Sequence, residues 1–193
     1  MYISSIFLHG VLSRDELKKV LSELGLELSA MSQDYRVTFS DVMQLNQNTI
    51  GVTNSEGWTI LLGPGLIRGK GILPENIEMI PDKYFDLGMK KISKQNEAIV
   101  VVANDHWGVF GYNWYRFGER LRSFWMSPNR PAKEEGEPPK EELLIRKYLK
   151  IAECNPKDYI LEVIGKMAVS YNTLAISSFR LLEAKQTEKW YPV

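Results

Sequence analysis

Cysteine and histidine are scarce in this chain of 193 residues, which has one cysteine, Cys154, and two histidines, His9 and His106. A single cysteine excludes an internal disulfide and any zinc site built from several cysteines, and it suits a reducing, cytoplasmic compartment. An excess of charge is missing too, with 24 Lys+Arg against 24 Asp+Glu. No overall field therefore draws the chain toward nucleic acid or an anionic membrane. The opening residues, MYISSIFLHG, lack a basic leader and interrupt their apolar stretch with two serines. A signal peptide is not expected, and no segment reaches the length of a membrane span. What remains is 44% hydrophobic, long enough to bury a core as a single domain over residues 1–193.

Aromatic residues are plentiful and unevenly placed. Eight of the 21 fall between Glu97 and Met126, a stretch that reads as three consecutive antiparallel strands. Ile99 to Ala103 is β-branched and almost wholly apolar, as in a strand covered on both faces. Asn104 to Gly108 supplies turn chemistry, Val109 to Phe117 is the next strand, and a turn around Gly118-Glu119 leads to Leu121–Met126. The expected fold class is α+β, an antiparallel β-meander sheet packed against several helices.

The rest of the chain supplies those helices and further strands. Residues 2–8 suit a short strand. Ser13 and Glu16 form a capping box, Leu12 can staple to Leu17, and Leu17, Val20, Leu21 and Leu24 make one apolar stripe that Gly25 ends. Tyr35 to Phe39 alternates like a strand. Thr49–Thr53 and Trp58–Leu62 read as a hairpin with a longer loop over Asn54–Gly57. A helix is expected over Asp82–Ser93, although Gly88 weakens it by roughly 1 kcal/mol relative to Ala. Ser127 to Glu142 holds four of the nine prolines and a run of Lys and Glu. It reads as an exposed, mobile loop at about 127–142. Helices follow over Glu141–Glu153 and after Asn155, which caps with Pro156 at the first helical position. Thr173 to Lys185 fits either helix or strand. VTNSEGWTI at 52–60 and VANDHWGVF at 102–110 echo one another, which leaves a pseudo-duplicated arrangement open.

Candidate sites are few. Gly63 to Gly71 looks like a phosphate loop, but Pro64 stands where a P-loop needs Gly and Gly71 where it needs Ser or Thr. Asp105 and His106 lie in a turn beside Trp107 and suggest an acid/base pair, with Glu119 as a third member of an unfamiliar enzyme site. A solvated turn explains them as well. Lys150 and Lys157 near Cys154 would lower its pKa, against the plainer reading of a small packing residue. No motif asks for a cofactor or a metal. On the middle strand Phe110, Tyr112, Trp114 and Arg116 share one face, and Val109, Gly111, Asn113, Tyr115 and Phe117 the other. If one face is open, His106, Trp107, Tyr112, Trp114, Arg116, Arg120, Arg122 and Trp125 form a binding surface. Aromatics with arginine suit a protein partner or, as the alternative, stacked single-stranded bases.

The order GWTILLGPG, a helix, AIVVVANDHWGVFGYNWYRFGERLRSFW, an acidic Pro-rich loop and NPKDYILEVIGKM resembles small bacterial cytosolic proteins of the immunity/SMI1-KNR4-like kind. In these, V-x-x-x-D is followed by G-F/Y-x-x-W/Y-x-x-G-x-x-x-R, then an acidic loop and a final helix. Val101, Asp105, Gly111, Tyr112, Tyr115, Gly118 and Arg122 fill the pattern, over about two thirds of the chain. The resemblance carries no catalytic residue across. It implies a partner-binding domain, immunity-like or regulatory.

Overall fold

The computed structural model describes residues 2–44, 48–64, 66–67, 83–106, 108–127, 131–151 and 153–187. In chain order these form β1 (Tyr2–His9), α1 (Arg14–Glu23), β2 (Leu26–Thr38), α2 (Phe39–Gln44), β3 (Thr49–Ser55), β4 (Trp58–Leu62) and α3 (Lys83–Ile92). Then come β5 (Ala98–Asn104), β6 (Val109–Arg116), β7 (Glu119–Met126), β8 (Lys133–Glu135), α4 (Lys140–Arg146), α5 (Pro156–Met167), α6 (Tyr171–Ile176) and β9 (Ser178–Gln186). The fold is α+β. Its strands form one sheet in the order β2-β9-β3-β4-β1-β5-β6-β7-β8, and every ladder between neighbours is antiparallel.

Helices cover both faces of this sheet, so side chains that alternate along a strand feed two cores. Ala98, Val100 and Val102 of β5 join the stripe of α1 and Phe85, Met89 and Ile92 of α3. Ile99, Val101 and Ala103 join the opposite core with residues from α2, α4, α5 and α6. All seven β5 residues are buried, which is why that strand reads as a continuous apolar run. Among the described residues no helix is long and apolar enough to cross a membrane.

Local signals explain the helix ends. At α1 the Ser13 amide donates to Glu16 Oε2 at 2.7 Å and the Glu16 amide to Ser13 Oγ at 3.3 Å. The Lys157 amide donates to Asn155 Oδ1 at 2.9 Å at the start of α5. Gly88 has a packing reason. A β-carbon there would fall 2.2 Å from the Glu23 carbonyl oxygen, so glycine lets the end of α1 cross α3 closely. Gly111 likewise marks a close approach rather than a bulge: its added β-carbon would meet the Trp125 ring at 2.2 Å. The irregularity on this hairpin lies opposite Trp114/Tyr115, where β7 carries the extra residue, Leu121.

Several expectations need correction. Asn54–Gly57 is not a longer loop, because Ser55 pairs with Trp58 and only Glu56 and Gly57 turn. The α4 helix stops at Arg146 instead of reaching Glu153. Residues 127–142 include a three-residue edge strand, β8, on β7, and their last member, Glu142, is buried. Residues 173–185 are partly helix and partly strand, split between α6 and β9. The sequence echo has no topological counterpart: in the first hairpin the second strand, β4, lies beside β1, whereas in the second the first strand, β5, does. Of the glycine-rich run 63–71, Gly65 and 68–71 lie outside the described residues, while Leu66 and Ile67 are buried.

Candidate functional site

Burial sorts the predicted surface into two groups. Tyr112, Trp125 and Arg122 are inside, with Tyr112 fully enclosed. They form no open stacking platform, because α4 and α5 lie over one face of the meander and α3 over the other. Trp114 is half-buried and its indole donates to Glu97 Oε1 at 2.8 Å. Arg116 is exposed, and Arg120 retains about a quarter of its side-chain surface. His106 is exposed in the β5–β6 turn, and Trp107 lies outside the described residues.

The expected acid/base trio is not assembled. Asp105 and His106 precede β6 and Glu119 follows it, so eight strand residues, roughly 26 Å, separate them. Asp105 Oδ2 lies instead 3.7 Å from Lys157 Nζ. Cys154 is also not activated. Burial pushes its thiol pKa up, Lys150 pairs with Glu153, and Sγ donates to the Ile151 carbonyl at 3.5 Å. Among the described residues no group of three or more His, Cys, Asp and Glu is placed to hold a metal ion.

Arg122 anchors the densest polar cluster. Its Nε and Nη2 donate to the two oxygens of Glu142 at 3.0 and 2.8 Å. Nη2 also reaches Glu134 Oε2 at 2.6 Å, and Nη1 the Gly136 carbonyl at 2.8 Å. Arg146, one turn beyond Glu142 on α4, donates to Glu142 Oε1 at 2.8 Å and to Glu134 at 2.6 Å. The Tyr112 and Tyr159 hydroxyls donate to Glu142 from below. Burial, reinforced by the Glu142 charge, pushes both phenol pKa values well above normal. Burial alone would raise the Glu134 carboxyl, but hydrogen bonds from Arg146 and Arg122 outweigh it and hold that carboxyl below the usual range. Two guanidiniums face two carboxylates, and the donors of Arg122 are taken up. The cluster ties sheet, β8, α4 and α5 together, and its central guanidinium has no donor left for a ligand.

An open feature lies at the β6–β7 turn. Arg116 pairs with Glu119, leaving Phe117 and Gly118 as a two-residue loop with φ of 57° and 80°, the left-handed pair of a type I′ turn. Gly118 rests on α3: a β-carbon on it would lie 3.0 Å from Lys94 Cγ. Between this tip and the helix runs a groove of about 590 Å³ lined by Tyr84, Leu87, Gly88, Lys90, Lys91, Lys94, Gly118 and Glu119. On the same helix Asp86 accepts from the Tyr115 hydroxyl at 3.0 Å and pairs with Lys90 at 3.3 Å and Arg120 at 3.6 Å. Phe117 is 74% exposed, with the Arg116 guanidinium 4.7 Å from its ring centroid.

Comparison with protein-family models, curated proteins and solved structures returns no match. Of the residues singled out in the sequence, Glu119 lines this groove, whereas Phe117 was read only as part of a strand face and the lysines of and after α3 were passed over. The available signal was the turn itself, since Phe-Gly stands where an I′ loop favours Asn-Gly.

Proposed function

We propose that this chain is a non-enzymatic protein-binding domain that meets its partner through the β6–β7 tip and the groove beside α3. The observation that carries this reading is Phe117. A bulky L-residue in left-handed backbone costs about 1–2 kcal/mol, and here the ring stays in water. Stacking of the exposed ring with Arg116 returns only about 0.5–1 kcal/mol of this to the fold. Contact with another molecule accounts for both, and aromatic rings beside arginine are what protein interfaces concentrate. The neighbouring Tyr84 and Leu87, 36% and 46% exposed, extend the apolar surface along α3. A toxin-neutralising or regulatory role in the cytoplasm is the form of protein binding that the resemblance implies.

The test is site-specific photocrosslinking in source cells at natural abundance. A photoreactive side chain at position 117 should give one discrete protein adduct, while the same group at Ile176, 86% exposed, gives none. No adduct at 117, or the same products from both positions, would overturn the reading.

A further inference from the structure

Tyr84, Leu87, Lys91 and Lys94 follow one another at spacings of three, four and three residues. Those spacings put them in a single line along the outer side of α3 and the turn beyond it. The line is apolar at its start and basic at its end. Of the ionisable groups lining the groove, Lys90, Lys91 and Lys94 are cationic and Glu119 alone is anionic.

Internal pairing does not use up this charge. Lys91 meets Glu23 at 2.9 Å while its side chain stays 65% exposed, and exposed pairs of this kind are worth only about 0–1 kcal/mol. Asp86 is held by Tyr115 and Arg120 whether or not Lys90 stays with it. Lys94 has no ion-pair partner among the described residues, and its stem lies against Gly118. The ammonium groups are therefore available to an incoming carboxylate at little cost to the fold.

We infer that the groove receives an acidic segment of the partner protein, one apolar side chain resting on Tyr84 and Leu87 and carboxylates reaching Lys90, Lys91 and Lys94. This rests on the protein-binding reading above and adds the chemistry of the partner. Lys91 lies four residues along α3 from Leu87, about 6 Å, and Lys94, in the turn beyond, about 10 Å. An extended ligand covers those distances in about two and three residues, so carboxylates should stand two and three residues from the apolar one.

The probe is the peptide acetyl-Leu-Ala-Glu-Glu-amide, titrated into the isotopically labelled full chain while backbone amide shifts are followed. Shifts should cluster at residues 84–94 and 117–119 and weaken as salt rises. The glutamine version of the peptide should bind roughly tenfold more weakly, and so should the glutamate peptide to Lys94→Glu, a variant that breaks no ion pair among the described residues. Equal binding of glutamate and glutamine peptides, preference for a lysine version, shifts elsewhere, or no shifts at all would each overturn the inference. If a protein still crosslinks at position 117 in any of those cases, the acidic chemistry falls and the protein-binding reading stands. If no adduct forms, both fall.

Discussion

Arg122 of β7 grips Glu142 of α4 through two parallel hydrogen bonds of 3.0 and 2.8 Å, with 2% and 0% of the two side chains exposed. Twenty residues separate them in the chain, and the intervening acidic segment is drawn in by the same guanidinium through Glu134 and Gly136. Pairs like this contribute little beyond an apolar substitute, yet they are costly to break, because the surviving ion stays buried and unpaired. Glu142→Gln should therefore cost about 3–5 kcal/mol, read as a lower urea midpoint. Arg120→Ala, at a partly exposed group pairing with Asp86 and Glu135, should cost about 1 kcal/mol or less. Equal losses would mean that burial of the Arg122 pair is not what matters.

Alkaline pH should unfold the protein more steeply than acidic groups alone would suggest. Tyr112, Tyr115 and Tyr159 are buried, and burial first, then the nearby carboxylates, raises their folded pKa values. A raised folded pKa contributes stability that is intact below the unfolded value, about 10, and is lost as pH climbs from there toward the folded value. With three such groups the loss approaches about 4 kcal/mol per pH unit. Tyrosinate absorbance from Tyr112, Tyr115 and Tyr159 should appear only together with the loss of circular dichroism. Ionisation of those three tyrosines with the circular dichroism unchanged would refute it.

Much of the architecture is local and so was legible. The Ser13/Glu16 box and the Asn155-Pro156 start act within three residues, and β5 declares its two covered faces by having no polar position before Asn104. The cluster around Arg122 was not legible in the same way, because its partner sits behind a proline-rich acidic stretch that reads as solvated. Period-two alternation did carry a clue: Arg122 is in phase with Phe124 and Met126, both core residues, so its side chain had to point inward. Overriding a charge with a pattern requires knowing that a carboxylate is waiting there. Only the tertiary fold supplies that.

Gly111 should tolerate no side chain. Alanine there would set its methyl 2.2 Å from the Trp125 ring and 2.4 Å from the Phe124 carbonyl oxygen, and the second contact is with backbone that cannot swing away. Gly111→Ala should cost about 1–3 kcal/mol, the usual range for overpacking, and shift the Trp125 emission. Trp125→Ala/Gly111→Ala should recover part of the alanine penalty at position 111 in a double-mutant cycle. An additive cycle would show that the ring is not the obstacle.

Phe117 offers the sharpest separation of stability from function. Glu56-Gly57 forms the corresponding tip of the β3–β4 hairpin with nearly the same backbone, φ 51° and 82°, but places a solvated carboxylate where β6–β7 places an aromatic ring. Both loops meet the same steric demand with a residue that does not favour left-handed backbone, and only β6–β7 leaves an apolar ring in water there. Phe117→Asn should therefore stabilise the protein by about 1 kcal/mol, since Asn-Gly is the preferred I′ pair, and Glu56→Asn should give a gain of similar size. The same Phe117→Asn substitution should reduce binding to whatever protein crosslinks at the tip, with Glu56→Asn leaving it unchanged. Thermal denaturation and titration of the purified pair measure the two effects on the same samples. If Phe117→Asn destabilises the chain, the ring is serving the fold, and the argument for an external contact at this tip is lost.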